Sequence, residues 1–396
     1  MLKAVQINIT CDKGSTGKIC RSISKKLTER SIENHILYSH GASDYPLGIK
    51  YQKDHEVKLG ALSSRLSGGY GTESKAATRR LVKYLEQLDP DVVHLHNLHG
   101  HNADLQILLP YLANKNKKVI WTFHDCWAFT GYCPHYSMVN CSKWQSGCGN
   151  CPQRKSYSWI FDRSEKLFKK KKNLITELDL TVITPSLWLS NEVKKSFLSK
   201  ADIRVINNGI DLDIFKPYPS NFRKQYGLED KYIVLGVAFD WGARKGLDVF
   251  IEMARKLPEK YTVVLVGTND TVDSSLPKNI ISIHRTADQI ELAKIYGAAD
   301  VLANPTREEN YPTVNMEALA CGTPVVTFDT GGSPETLDEA CGIVVPKNDS
   351  DKMISAVMSV CEDDRISKAN CLKRAEGFSE EKMIEEYVRL YEEKKN

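Results

Sequence analysis

Nowhere does the 396-residue sequence hold the ~18 consecutive apolar residues that a membrane-crossing helix needs, which excludes a spanning protein. Nor do the first nine residues, Met1-Leu2-Lys3-Ala4-Val5-Gln6-Ile7-Asn8-Ile9, carry the apolar core and small-residue cleavage site of a secretion signal. They read as a strand, so the expected location is the cytoplasm. Charge of one sign is also scarce: 54 Lys and Arg against 50 Asp and Glu leave a net charge of +4, too weak for a nucleic-acid binder. With 41% hydrophobic and 26% charged residues the chain is not a disordered one. Its length suits two domains of about 150–200 residues each.

What is present is a regular alternation of short apolar runs with amphipathic helices. Strands are expected at Ala4–Ile9, Val92–His96, Lys118–Phe123, Leu180–Thr184 and Arg204–Ile206, then at Tyr232–Val237, Thr262–Val266, Ile280–His284, Val301–Ala303 and Pro324–Phe328. Helices are expected at Ile19–Thr28, Ala77–Gln87, Leu247–Lys256 and Ala287–Tyr296. Several strands are apolar throughout, as parallel strands buried on both faces must be. The pattern predicts an α/β protein of two Rossmann-like, doubly wound parallel-sheet domains facing across a cleft. Asn208-Gly209 and the Pro217-Tyr218-Pro219 segment punctuate the break. Domains are therefore expected at 1–213 and 214–375. A final segment, 376–396, holds a helix capped by Ser379, with one apolar stripe from Met383 to Tyr391.

The densest segment runs from Pro305 to Val326. Glu309 lies in a loop after a strand, and Glu317 about one turn inside a helix opening near Pro312–Val314. Free amides at such a helix start, Thr313 and Val314 among them, form an anion site. A carboxylate accepts two hydroxyls at once, which suits sugar diols. Glu309, seven residues, Glu317, and then Ala318-Leu319-Ala320-Cys321-Gly322-Thr323-Pro324-Val325 closely resemble the signature of glycosyltransferase family 4. The resemblance implies the two-domain GT-B architecture, with an acceptor-binding N-terminal domain, a nucleotide-sugar-binding C-terminal domain and a last helix packed back on the former. It implies retaining transfer of a hexose by front-face attack, of the capsule, exopolysaccharide or lipopolysaccharide type. Glu309 would contact the donor sugar and Glu317 the ribose.

In Asp240-Trp241-Gly242-Ala243-Arg244-Lys245-Gly246, the pair Arg244 and Lys245 precedes a helix and suits a diphosphate. Ala238-Phe239 stands where the family often has Gly-Arg, so either Arg244 carries the arginine role or that role is weaker here. Base contacts are expected near Thr268 and Thr286, with UDP- and GDP-sugars both open. Gly14-Ser15-Thr16-Gly17-Lys18 has neither the spacing nor the Ser or Thr of a phosphate-binding ATPase loop. By resemblance Gly14 and Gly17 face the acceptor and donor phosphate; a tight structural turn is the equal competing reading. The histidine of Thr122-Phe123-His124-Asp125 would lie at the donor sugar and acceptor hydroxyl, with Asp125 orienting its ring. His96 is left open, His94 and His99 are expected in the core, and Arg79 and Arg80 are assigned to the acceptor side. The acceptor would be a glycan, lipid-linked in the growing chain.

Cys133, Cys141, Cys148 and Cys151, near Cys126, have spacing that suggests a structural zinc ordering an insertion at about 126–152. No catalytic metal is expected. Five lysines between Lys166 and Lys172, beside Trp159, Phe161 and Phe168, suggest contact with an anionic membrane face or simply a solvated helix. The competing functional class is a non-catalytic sugar-nucleotide or polysaccharide-binding regulator on the same scaffold.

Overall fold

Lys3–Asn8 (β1) is buried from its second residue to its last, as a strand flanked on both sides must be. In the computed structural model, which describes residues 2–115, 117–363 and 366–393, it is an interior strand of a seven-stranded sheet. The other strands are Glu33–Tyr38 (β2), Gly48–Lys50 (β3), Val92–Leu95 (β4), Lys118–Thr122 (β5), Leu180–Thr184 (β6) and Asp202–Val205 (β7). Their order is β3-β2-β1-β4-β5-β6-β7, and every pairing is parallel. The order reverses between β1 and β4. Beyond the carboxyl ends of those two strands lies the crevice where open α/β sheets take ligands.

A second sheet is built from Tyr232–Val237 (β8), Tyr261–Val266 (β9), Ile280–Ile283 (β10), Val301–Asn304 (β11), Val325–Phe328 (β12) and Gly342–Val345 (β13). Its order is β10-β9-β8-β11-β12-β13, again all parallel, with the reversal between β8 and β11. Alternation along each strand divides its side chains between two cores. Ile233, Leu235, Val264, Val266 and Leu302 enter one; Val234, Val263, Leu265, Val301 and Ala303 enter the other. Helices such as Leu247–Lys256, whose Val249, Phe250 and Met253 are buried, close these faces.

By their contacts, the residues up to Ile206 and those from Ile384 onward form one compact unit, and Asn207–Met383 a second. Two unit-forming parallel sheets make this the GT-B class of fold. The helix Glu380–Glu392 starts at Ser379, whose carbonyl accepts from the Met383 amide. Its later turns are bound into the first unit. Glu385 pairs with Lys26 at 2.9 Å and Arg30 at 2.8 Å, and Lys118 Nζ donates to the Glu393 carbonyl at 2.8 Å. Among the described residues no helix is long and apolar enough to cross a membrane.

Candidate functional site

In the second unit, two loops leave the carboxyl ends of β8 and β11. Lys245, in the short helical turn Ala243–Lys245, donates from Nζ to Glu309 Oε2 at 2.7 Å. The other oxygen of Glu309 accepts the Asn310 amide at 3.1 Å, so both carboxylate oxygens are held. The two loops are tied by backbone and by one further side chain. The Arg307 amide donates to the Arg244 carbonyl at 2.8 Å. The Arg307 guanidinium reaches the Ala243 carbonyl at 2.5 Å and both oxygens of Asp248 at 2.7 Å.

Two glycines permit this approach. Gly246 has a φ of +73°, and a Cβ there would stand 2.4 Å from the Pro305 carbonyl oxygen. Gly331, at φ +57°, would place a Cβ 1.8 Å from the carbonyl oxygen of Glu309 itself. Only glycine adopts such backbone without strain and leaves room for the neighbouring chain. The Gly332 amide then donates to the Asn310 carbonyl at 2.9 Å, fixing the loop from its other side.

Pro312, extended at φ −75° and ψ 116°, caps the helix Thr313–Ala320, whose first two amides are those of Thr313 and Val314. Glu317, one turn inside, accepts from Tyr296 Oη at 2.9 Å. Burial, reinforced by the Glu317 charge, pushes the Tyr296 phenol well above its ordinary range, so it stays a donor. Arg244 is held more loosely, with Asp240 at 3.7 Å. Buried Thr268 shares a hydrogen bond with Ser282, which donates to Asp273 at 2.6 Å. Thr286 is half-buried. The carboxylates and the basic pair expected from sequence thus stand in one unit. Tyr296, Arg307 and Gly331 are additions that the sequence reading missed. Only Gly331 carried a signal, the glycine pair in Thr330-Gly331-Gly332-Ser333.

In the first unit, Gly14 and Gly17 open the helix Gly14–Glu29 after β1. A line of hydrogen bonds crosses the ends of β1, β4 and β5. Gln6 Nε2 donates to the Cys20 carbonyl at 2.9 Å, which makes Gln6 Oε1 the acceptor for His96 Nε2 at 3.2 Å. His96 Nδ1 must then accept, and His124 Nε2, 3.1 Å away, must carry the proton. Burial lowers the pKa of His124 to about 4; the Asp125 charge opposes this and His99 adds to it. His94 is driven well below its usual value by burial and by His124, and His96 by burial, His94 and His124. His94 lies in the core, as expected, with Nδ1 2.5 Å from Tyr391 Oη and Nε2 2.8 Å from Thr122 Oγ1.

Asp125 departs from expectation. Its carboxylate lies 2.7 Å from His99 Nε2 and accepts the Trp127 amide at 2.8 Å, so the ring it orients is that of His99. Burial alone would raise its pKa, but His99, His135 and the Trp127 amide outweigh it and bring it down to about 2. His99 is accordingly a partner of the loop and not a core residue. Arg80 pairs with Glu56 and donates to the Tyr51 carbonyl at 2.9 Å, and Arg79 is exposed on the same helix.

The cysteine-rich insertion is ordered by rings. Trp127, Phe129, Tyr132, Tyr136 and Trp144 are buried, and Tyr132 stacks on Tyr157 with centroids 5.6 Å apart. Among the described residues no group of three or more His, Cys, Asp or Glu stands in position to hold a metal ion, so the expected zinc finds no ligand set there. Burial pushes the Cys133 thiol up to about 12 and that of Cys148 up to about 11. The lysine run is likewise not one solvated strip. Lys171 is buried, donates to the Trp127 carbonyl at 2.6 Å and sits 4.0 Å from that ring; burial brings its pKa down to about 7. Phe168 is buried beside it in the chain, and Lys169 pairs with Glu165 at 2.6 Å.

Two family models cover the chain in succession. Glycosyltransferase Family 4 matches residues 16–214, and Glycosyl transferases group 1 matches residues 230–363. The chain belongs to glycosyltransferase family 4 and is a glycosyltransferase. Among relatives, a colanic acid biosynthesis glycosyl transferase of Escherichia coli (strain K12), WcaC, is 24% identical over 99% of this chain and 100% of its own length. Among solved structures, sucrose-phosphate synthase of Thermosynechococcus elongatus superimposes with a TM-score of 0.74 at 19% identity, covering 99% of this chain and 98% of its own. Anabaena HepE, solved in complex with UDP, gives 0.71 at 16% identity over 98% and 99%.

Proposed function

We propose that the protein is a retaining hexosyltransferase that moves a sugar from a UDP- or GDP-sugar to a growing surface glycan carried on a lipid. The observation that carries this reading is the Lys245–Glu309 contact at 2.7 Å beside the start of the helix Thr313–Ala320. It places a cation, helix amides and an oriented carboxylate together, which suits a departing diphosphate and the sugar bound to it. On this reading the second unit takes the donor and the first unit the acceptor. Glu309 positions the transferred sugar, Glu317 the ribose, and Lys245 with Arg244 takes up charge on the leaving diphosphate without a catalytic metal.

A pKa near 4 makes His124 a poor general base at neutral pH. It serves as a hydrogen-bond partner of the reacting sugar, while the donor's own phosphate removes the acceptor proton. The surface-glycan class is supported by the full-length relative in colanic acid biosynthesis. The lipid carrier brings the protein to the inner face of the cytoplasmic membrane.

The test is incubation of purified protein with a panel of UDP- and GDP-hexoses and a polyprenyl-diphosphate glycan acceptor. Nucleotide release and the anomeric configuration of the new linkage are read by NMR. Transfer with retained configuration, lost in Glu309→Ala, supports the reading. An inverted product, or full activity in that variant, rejects it.

A further inference from the structure

In the first unit, large apolar side chains crowd together at the surface. Trp159, Ile160 and Phe161 are consecutive and 59%, 56% and 52% exposed. Beside them runs the helix Asp54–Ser67, whose Leu59, Leu62 and Leu66 are 63%, 49% and 44% exposed. Positions three and four apart share a helix face, so these leucines form one stripe. The two elements are joined. The Trp159 amide donates to the Arg65 carbonyl at 2.8 Å, and Tyr132 Oη donates to the Gly68 carbonyl at 3.1 Å. The same Oη accepts the Arg163 amide at 2.7 Å, just past the apolar tip.

Scattered single apolar side chains need no explanation, but six in one built patch do. Cations surround it. Arg65 reaches the Ser156 carbonyl at 2.5 Å, Arg154 the Trp159 and Ile160 carbonyls at 3.1 and 2.9 Å, and Arg163 lies 5.6 Å from the Phe161 ring. Lys58 and Lys155 are exposed next to them. Asp162, which follows Phe161 in the chain, already accepts the Cys151 and Ser164 amides at 2.6 and 2.9 Å.

We infer that this patch docks on an anionic phospholipid bilayer, with Trp159, Ile160, Phe161 and the leucine stripe entering the headgroup boundary and the cations facing lipid phosphates. An indole beside aliphatic side chains and a basic rim is the composition that settles at that boundary. A protein partner would leave the cations needing matched carboxylates, whereas an anionic leaflet satisfies them in any register. The inference deepens the lipid-carrier part of the proposed function and rests on it. Its readout needs no turnover, so the two can fail separately.

The test uses the full chain, cosedimented with vesicles of phosphatidylglycerol in phosphatidylcholine and with phosphatidylcholine alone. The intact protein is expected to pellet with the anionic vesicles and to be released in 1 M salt, where the Debye length is about 3 Å. The variant Trp159→Ser/Ile160→Ser/Phe161→Ser is expected to bind about tenfold or more weakly with an unchanged thermal midpoint, since all three side chains are exposed. Arg154→Glu/Arg163→Glu should weaken binding to the anionic vesicles selectively. Equal pelleting of the triple variant and the intact chain would overturn the inference, as would an intact chain that stays in the supernatant. A dimer seen by sedimentation velocity that the triple variant disperses would assign the patch to a second copy and also overturn it.

Discussion

Lys245 and Glu309 meet at 2.7 Å although 64 residues separate them, and both side chains are about four-fifths buried. Each therefore fixes the other before any ligand arrives. Lys245→Ala and Glu309→Ala are each expected to lower transfer by about 10²–10³, the range for losing one preorganised group at a developing charge. Groups that act as one unit are not additive. The double variant should be little worse than the weaker single, as steady-state rates on all three will show. Multiplied losses would mean that the two act independently.

Tyr296 holds Glu317 from outside the ligand. Tyr296→Phe removes only the hydroxyl that donates at 2.9 Å. A neutral-to-charged hydrogen bond of this kind is worth about 1.5–3 kcal/mol, so nucleotide affinity should fall about 10–150-fold. Calorimetric titration with UDP and GDP gives the number, and kcat at saturating donor should change little. A collapse of kcat with affinity intact would show that Glu317 acts in the chemical step.

Gly331→Ala tests the contact between two loops. The substitution forces a Cβ to within 1.8 Å of the Glu309 carbonyl oxygen at a φ of +57°, so the backbone carrying Glu309 must move. A displacement of about 1 Å can cost on the order of 10²-fold in rate. Donor turnover should fall to that degree while most of the fold survives, as read by circular dichroism. Gly227→Ala, at a φ of +63° with nothing within 4 Å, is the control that carries the strain without the collision.

Acid should weaken the first unit through its histidines. Burial keeps His94, His96 and His124 neutral, with His124 titrating at about 4 instead of 6.5. Above pH 6.5 neither the folded nor the unfolded chain protonates them, and they do not affect stability. As pH falls from 6.5 to 4 the unfolded chain gains protons that the folded chain refuses, so stability declines. His124 alone should account for on the order of 3 kcal/mol of that decline. Urea unfolding between pH 7 and pH 4 checks this, and His124→Gln should flatten the slope. A slope unchanged in that variant would place its titration elsewhere.

Much of the fold was legible because buried parallel strands are built mainly from apolar and β-branched residues. Tyr232–Val237 and Leu180–Thr184 show this, being read from sequence to the residue. Strand β2 was not, because its Asn34 is buried yet polar. Its amide donates to Thr28 Oγ1 at 3.0 Å and to the Ile32 carbonyl at 3.1 Å, partners that no periodicity reveals. The carboxylates and basic pair of the donor loops were legible through a motif, whereas Tyr296 lies on a helix with no motif of its own. The lysine run misled for a physical reason. A run of like residues on a helix turns through every face, and one of its members, Lys171, points at the Trp127 ring. Asp125 misled because adjacency in sequence suggested His124, while the chain turn delivers the carboxylate to His99.

The first unit draws its last segment from the far end of the chain, from Ile384 onward. Buried His94 takes its Nδ1 partner, Tyr391 Oη, from there. During synthesis at about 5–20 residues per second, the seven-stranded sheet waits roughly ten to thirty-five seconds after Ile206 before that helix exists. Until then it lacks the cover that Tyr387, Val388 and Tyr391 provide, and His94 and Thr122 lack their tyrosine partners. The order of manufacture therefore makes the opening half of the polypeptide the last to mature, and the stage most in need of a chaperone.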